Sequence, residues 1–171
     1  ISLIGENRET TVIDGNATGN VVHATVNNIS ISNFTIRGSG CGCKDYSGLF
    51  FENSHNSKVT DNIIINNGYG IHLSNSSGCR ITSNMVTDNG MYGVYLENSS
   101  GNILNANNVS DNESYGLILW MSNGCTVTCN RVSHNYGGIQ LWGCYDNDVY
   151  HNNFVNNTYQ AESFGLTNTW D

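Results

Sequence analysis

Five segments of this chain, beginning at Gly48, Gly70, Gly93, Gly116 and Gly138, align over 20 residues without a gap. Counting from each glycine, the second position reads Leu49, Ile71, Val94, Leu117, Ile139, and the fourth reads Phe51, Leu73, Leu96, Leu119, Leu141. The twelfth reads Val59, Ile81, Leu104, Val127, Val149, and the seventeenth Ile64, Val86, Val109, Val132, Phe154. Four positions are apolar in every repeat, and the residues between them are mostly polar or small. No helical face passes through that pattern. Alternation of the kind seen in Ile71-His72-Leu73 sends one side chain inward and the next outward, as in a strand. Short strands recurring every 22–23 residues, separated by Asn, Gly and Ser, define a solenoid whose coils stack about 4.8 Å apart. The expected fold is all-β: a right-handed, single-stranded parallel β-helix of about seven coils in one domain spanning 1–171.

Two further columns are Asn in all five repeats: the fifteenth position (Asn62, Asn84, Asn107, Asn130, Asn152) and the twentieth (Asn67, Asn89, Asn112, Asn135, Asn157). Asn tolerates the left-handed backbone of a tight corner, and its amide can bond to the Asn of the next coil, so both columns are expected to be structural ladders. Residues 1–47 are read as irregular N-terminal coils with a Gly/Cys loop at 38–47, residues 48–157 as five regular coils, and 158–171 as a tail where the apolar pattern fades.

Composition narrows the setting. A net charge of −8, with only 6 Lys and Arg, argues against a nucleic-acid partner, since few cations are available to displace phosphate counterions. No apolar run approaches the ~18 residues of a transmembrane segment. Six cysteines (Cys41, Cys43, Cys79, Cys125, Cys129, Cys144) do not match paired zinc spacing. With the low charge and abundant sequons, among them Asn16, Asn75 and Asn98, they point to an oxidising, extracellular or cell-surface location and to disulfides. Cys79 and Cys125 share a repeat position two coils apart, too far to bridge directly, so Cys79 needs the Cys41/Cys43 loop, a partner chain or no partner; Cys125 with Cys144 is an alternative. A metal reading groups Cys129 with His151 and Cys144. No cofactor is expected. The chain opens on strand-like residues without a leader or capping helix, which suggests ends open to another copy.

Candidate chemistry lies in outward columns. The third position reads Phe50, His72, Tyr95, Ile118, Gln140, and the fifth reads Glu52, Ser74, Glu97, Trp120, Trp142. Tyr95, Trp120 and Trp142, with His72 and Glu97, suit a glycan or a protein partner, or serve as stacking between coils. The nineteenth position lines up Asp88, Asp111 and His134; carboxylates ~5 Å apart are the spacing of a retaining glycosidase pair. No basic residue converges on them, and a solvated corner column is the favoured reading.

The strings YGIHLSNSSG and YGVYLENSSG and the closing HNNFVNNTYQ…TNTWD resemble NosD-like, CASH-type parallel β-helix repeats, common in surface proteins of archaea, methanogens especially. The resemblance covers nearly the whole chain and implies the fold; it also implies a link to copper-enzyme maturation, for which the sequence has no Met/His cluster. Three functions follow as expectations. The first is a non-enzymatic envelope subunit (surface layer, sheath or fibre) assembling with itself through its ends and disulfide-linked sides. The second is a carbohydrate-binding or adhesin module. The third is a polysaccharide hydrolase, lyase or epimerase using Asp88, Asp111 and His134.

Overall fold

The computed structural model describes residues 1–40 and 46–171. They form three parallel sheets and, among the described residues, no helix. The first sheet has eight strands: Ser2–Ile4, Ser30–Ser32, Lys58–Thr60, Arg80–Thr82, Ile103–Asn105, Thr126–Thr128, Asp148–Tyr150 and Thr169–Trp170. The second has seven: Val12–Asp14, Thr35–Arg37, Ile63–Ile65, Met85–Thr87, Asn108–Ser110, Arg131–Ser133 and Asn153–Val155. The third also has seven, and most are longer: Val22–Ala24, Ser47–Glu52, Tyr69–Ser74, Val94–Glu97, Tyr115–Trp120, Gly137–Trp142 and Tyr159–Phe164. Each strand pairs with its counterpart one coil away, giving the β-solenoid of about seven turns that the repeat implies. Residues 158–171 carry the stacking on: Tyr159–Phe164 pairs with Gly137–Trp142, and Thr169–Trp170 with Asp148–Tyr150.

The apolar columns fill the interior. Leu49, Ile71, Val94, Leu117 and Ile139 are fully buried, as are Ile81, Leu104, Val86 and Val109. The repeat glycine faces inward too. A Cβ on Gly70 would lie 2.5 Å from Val86 Cγ1 and from the Gly93 carbonyl, and the same clash recurs at Gly93 and Gly116. Glycine is needed there because the second and third sheets meet too closely for a side chain.

Polar ladders occupy the corners. In the first, Asn62, Asn84, Asn107 and Asn130 each donate Nδ2 to Oδ1 of the next coil's Asn at 2.9–3.1 Å, ending at Asn152. The second runs from Asn67 through Asn89, Asn112 and Asn135 to Asn157 at 2.9–3.2 Å. Two more ladders complete the coil. At the seventh position Ser76, Ser99 and Ser122 accept the backbone N–H of Ser54, Ser76 and Ser99, and Cys144 Sγ accepts that of Ser122. At the tenth, Asn102 and Asn147 accept the N–H of Cys79 and Cys125. A buried polar atom without a partner is costly, so these chains of bonds make the corners cooperative.

The left-handed residues of the corners are not the ladder asparagines. They are the residues just before them: Asp61, Ser83, Ala106, Cys129 and His151 ahead of the first ladder, and Asn66, Asp88, Asp111, His134 and Asn156 ahead of the second, all with φ between 54° and 59° except Asp88 at 52°. Each corner thus pairs one residue that turns the chain with one that ties the coils together.

Candidate ligand-binding face

The outward side of the third sheet collects the aromatic residues. Its third-position column stacks His23 on Phe50 at 4.8 Å, Phe50 on His72 at 4.9 Å and His72 on Tyr95 at 4.7 Å, with Tyr69 and Tyr92 closing over the flank. His72 is boxed in. Its Nε2 is buried without a hydrogen bond, 3.5 Å from Glu97 Oε2. Burial lowers its pKa below the usual imidazole value, with Glu97 opposing the shift. Burial, then the Glu97 charge and the neighbouring tyrosines, raise the Tyr95 hydroxyl. Two coils earlier the same diagonal pairing recurs, His23 Nε2 lying 2.9 Å from Glu52 Oε2.

Beyond Tyr95 the aromatic column shifts to the fifth position. Ile118 is buried at the third position, while Trp120 stacks on Trp142 at 5.7 Å and 11°, and Trp142 packs on Phe164 at 4.9 Å. These rings are exposed, at 37% for Trp120, 43% for Trp142 and 52% for Phe164. Beside them the third position carries Gln140 and Glu162. Glu162 Oε2 accepts Tyr115 O–H at 2.5 Å and Gln140 Nε2 at 2.9 Å. Burial and the hydrogen bond to Glu162 raise the Tyr115 hydroxyl. Gly137 makes room for that reach, since a Cβ there would meet the Tyr115 ring at 2.1 Å.

Tyr95, His72 and Glu97 therefore meet, and Trp120 and Trp142 meet just beyond them, so the five residues selected on the glycan or partner criterion share one face. Phe164 and Glu162 escaped the sequence reading, although a step of 22 residues from Trp142 and Gln140 reaches both.

Asp88, Asp111 and His134 lie elsewhere, exposed on the corner after the second sheet, where they supply left-handed backbone. Asp88 Oδ2 accepts Thr87 Oγ1–H at 3.0 Å, and His134 Nε2 lies 3.2 Å from Asn156 Nδ2. Asn16, Asn75 and Asn98 are also exposed corner residues with φ of 50°, 50° and 48°.

The cysteines depart from expectation. Cys79, Cys125, Cys129 and Cys144 are free thiols, and the Cys125–Cys144 bridge is not made. Three are buried because they serve the ladders: Cys79 Sγ donates to the Ser54 carbonyl, Cys125 Sγ to Ser99 and Cys144 Sγ to Leu119. Burial raises all three thiol pKa values, that of Cys125 to about 11. Cys129 is exposed at a corner, so it does not join Cys144 in a metal site, and no group of three His, Cys, Asp or Glu suited to a metal ion occurs among the described residues. Cys41 and Cys43 lie outside the described residues.

Comparison with known proteins agrees with the architecture. Among solved structures, the periplasmic alginate epimerase AlgG is similar, with a TM-score of 0.67 at 16% identity over 99% of this chain and 47% of that one. The A-module of the mannuronan C-5 epimerase AlgE4 of Azotobacter vinelandii gives 0.55 at 14% identity over 87% of this chain and 59% of that one. The AlgE6 A-module of the same organism gives 0.52 at 15% identity, over 95% and 62%. The chain spans about half the length of AlgG, and at these identities the likeness is one of fold. No curated protein matches the chain in sequence. The family profile described as "Periplasmic copper-binding protein (NosD)" matches residues 2–171, and the chain belongs to the NosD family.

Proposed function

We propose that this chain is an extracytoplasmic β-helix module that holds a saccharide on the outer face of its third sheet. The observation that carries the reading is the exposed Trp120–Trp142–Phe164 ridge, flanked by the hydrogen-bonding groups of Glu97, Gln140 and Glu162. Sugars present C–H faces and hydroxyl edges, and a site that offers aromatic carbon beside carboxylate and amide groups matches both. A periplasmic family and polysaccharide-acting neighbours of the same fold support the setting. The NosD description speaks of copper, but the described residues offer no three-ligand group for it. The test is tryptophan fluorescence and calorimetry against a panel of soluble oligosaccharides. Binding that disappears in Trp142→Ala supports the reading, and no response to any glycan sinks it.

A second reading, lateral packing of copies in an envelope layer or fibre, draws on the same apolar ridge. Its disulfide support is weaker, because Cys79, Cys125 and Cys144 are used inside the coil. Sedimentation that shows association lost in Trp142→Ala, without glycan binding, favours this second reading.

A further inference from the structure

Charge on the proposed saccharide face is one-sided. Glu52, Glu97 and Glu162 point outward from the third sheet, and its strands carry no Lys or Arg. Lys58 and Arg80 lie on the first sheet, and Arg37 and Arg131 on the second.

Within this face one place combines a carboxylate with an open aromatic surface. Glu97 and Trp120 stand in register on adjacent coils. Trp142 covers one side of the Trp120 indole, which leaves the side toward Glu97. One coil before Glu97 the same column holds Ser74, whose short side chain leaves room and whose Oγ lies 3.4 Å from Glu97 Oε2. The Glu97 side chain is 37% exposed. Among the described residues the basic group in contact with it is His72, a desolvated ring whose burial favours the neutral form, so the carboxylate is left without a cationic partner there. A cation set between a carboxylate and an indole gains from both, by ion pairing and by attraction to the ring within about 6 Å of its centroid.

We propose that the Ser74–Glu97–Trp120 seat takes the protonated amine of an amino sugar, so that the face selects amine-bearing saccharides and turns uronate polymers away. This rests on the saccharide reading above and specifies its ligand. Among the described residues no Lys or Arg lies on the strands of this sheet to separate a uronate carboxylate in the seat from Glu97, so the polymer named for the epimerase neighbours is the wrong ligand here.

The experiment is calorimetry of the full chain with three hexasaccharides: β-linked glucosamine, its N-acetylated form, and mannuronate. The glucosamine oligomer is expected to bind roughly ten-fold more tightly than the acetylated one, with the advantage shrinking as salt is added. Glu97→Gln is expected to remove that advantage. Glu97→Lys is expected to raise mannuronate affinity about ten-fold, a gain that damage to folding cannot produce. Equal affinity for the amine and its acetylated form, or mannuronate binding at least as tightly as glucosamine, overturns the amine assignment and leaves the saccharide reading standing. Failure of all three to bind, with no other glycan responding, overturns both.

Discussion

The two halves of the third sheet's outer face use one repeat slot differently. Up to Tyr95 the rings sit at the third position, stacked His23–Phe50–His72–Tyr95 and roofed by Tyr69 and Tyr92. From Trp120 onward they sit at the fifth position, at the border of the face, and a large part of each ring meets water. In the first half the aromatic surface is spent on holding coils together. In the second half the interior and the ladders already do that, and the rings remain available. Stacking alone therefore does not distinguish structure from binding in a β-helix; the column in which the stack stands does.

The largest effect should come from a residue shared by both halves. Asn107 is buried in the ladder between them and donates to the Ile81 carbonyl and to Asn130 Oδ1, each at 2.9 Å. Asn107→Leu strands several buried groups and is expected to cost at least about 3 kcal/mol, measured by urea unfolding. A loss under about 1 kcal/mol breaks the claim that the ladders carry both halves. Next, Tyr95→Ala is expected to cost about 2–3 kcal/mol, and Trp142→Ala only about 1 kcal/mol while abolishing ligand binding. The reverse order contradicts the comparison.

A third test uses His72. Its folded pKa is lowered by burial, so the folded chain resists protonation and the unfolded chain does not. The stability at stake is intact above the unfolded value of about 6.5 and drains as pH falls toward the folded value. The melting temperature should decline as pH falls below about 6.5, and His72→Phe, which keeps the ring stack, should flatten that decline. An unchanged slope removes His72 from the account. The smallest effect concerns Cys144, whose ladder position is serine in the four preceding repeats. Cys144→Ser is expected to change stability by less than about 1 kcal/mol. In the native protein, peptide mapping after alkylation should find Cys129 labelled and Cys79, Cys125 and Cys144 protected.

The interior was legible because its physics recurs in every coil. A column that must be apolar, or must donate and accept an amide bond, shows itself by repetition, as Ile81 and Asn107 do. The serine ladder was harder to read, since Ser54, Ser76, Ser99 and Ser122 end in a cysteine and serine is common throughout this chain. The left-handed corners were placed one residue late, because Asp61, Ser83, Ala106, Cys129 and His151 share no chemistry, only a neighbour. The cysteines misled for a related reason: a thiol that stands in for a serine or asparagine in a hydrogen-bond chain looks, in sequence, like a thiol awaiting a bridge. The outer face was partly legible by alternation, but whether a ring there is roofed or bare depends on the coils beside it.

The ladders also govern how this protein ages. Asn-Gly is the dipeptide in which a side-chain amide is lost most readily, because nothing on the glycine hinders its nitrogen from attacking the amide carbon. Asn67-Gly68 and Asn89-Gly90 are such pairs, yet both amides are locked between coils, and both attacking nitrogens are already donating, Gly68 to Ser39 Oγ and Gly90 to the Asn67 carbonyl. Asn123-Gly124 also bonds to the next coil, Gly124 N–H donating to the Tyr145 carbonyl and Asn123 Oδ1 accepting the Tyr145 N–H, but it is exposed at a corner whereas Asn67 and Asn89 are buried. Chemical wear in storage should therefore begin at Asn123 and spare the two pairs on which the coil depends, so the bonds that order the solenoid in space also preserve it in time.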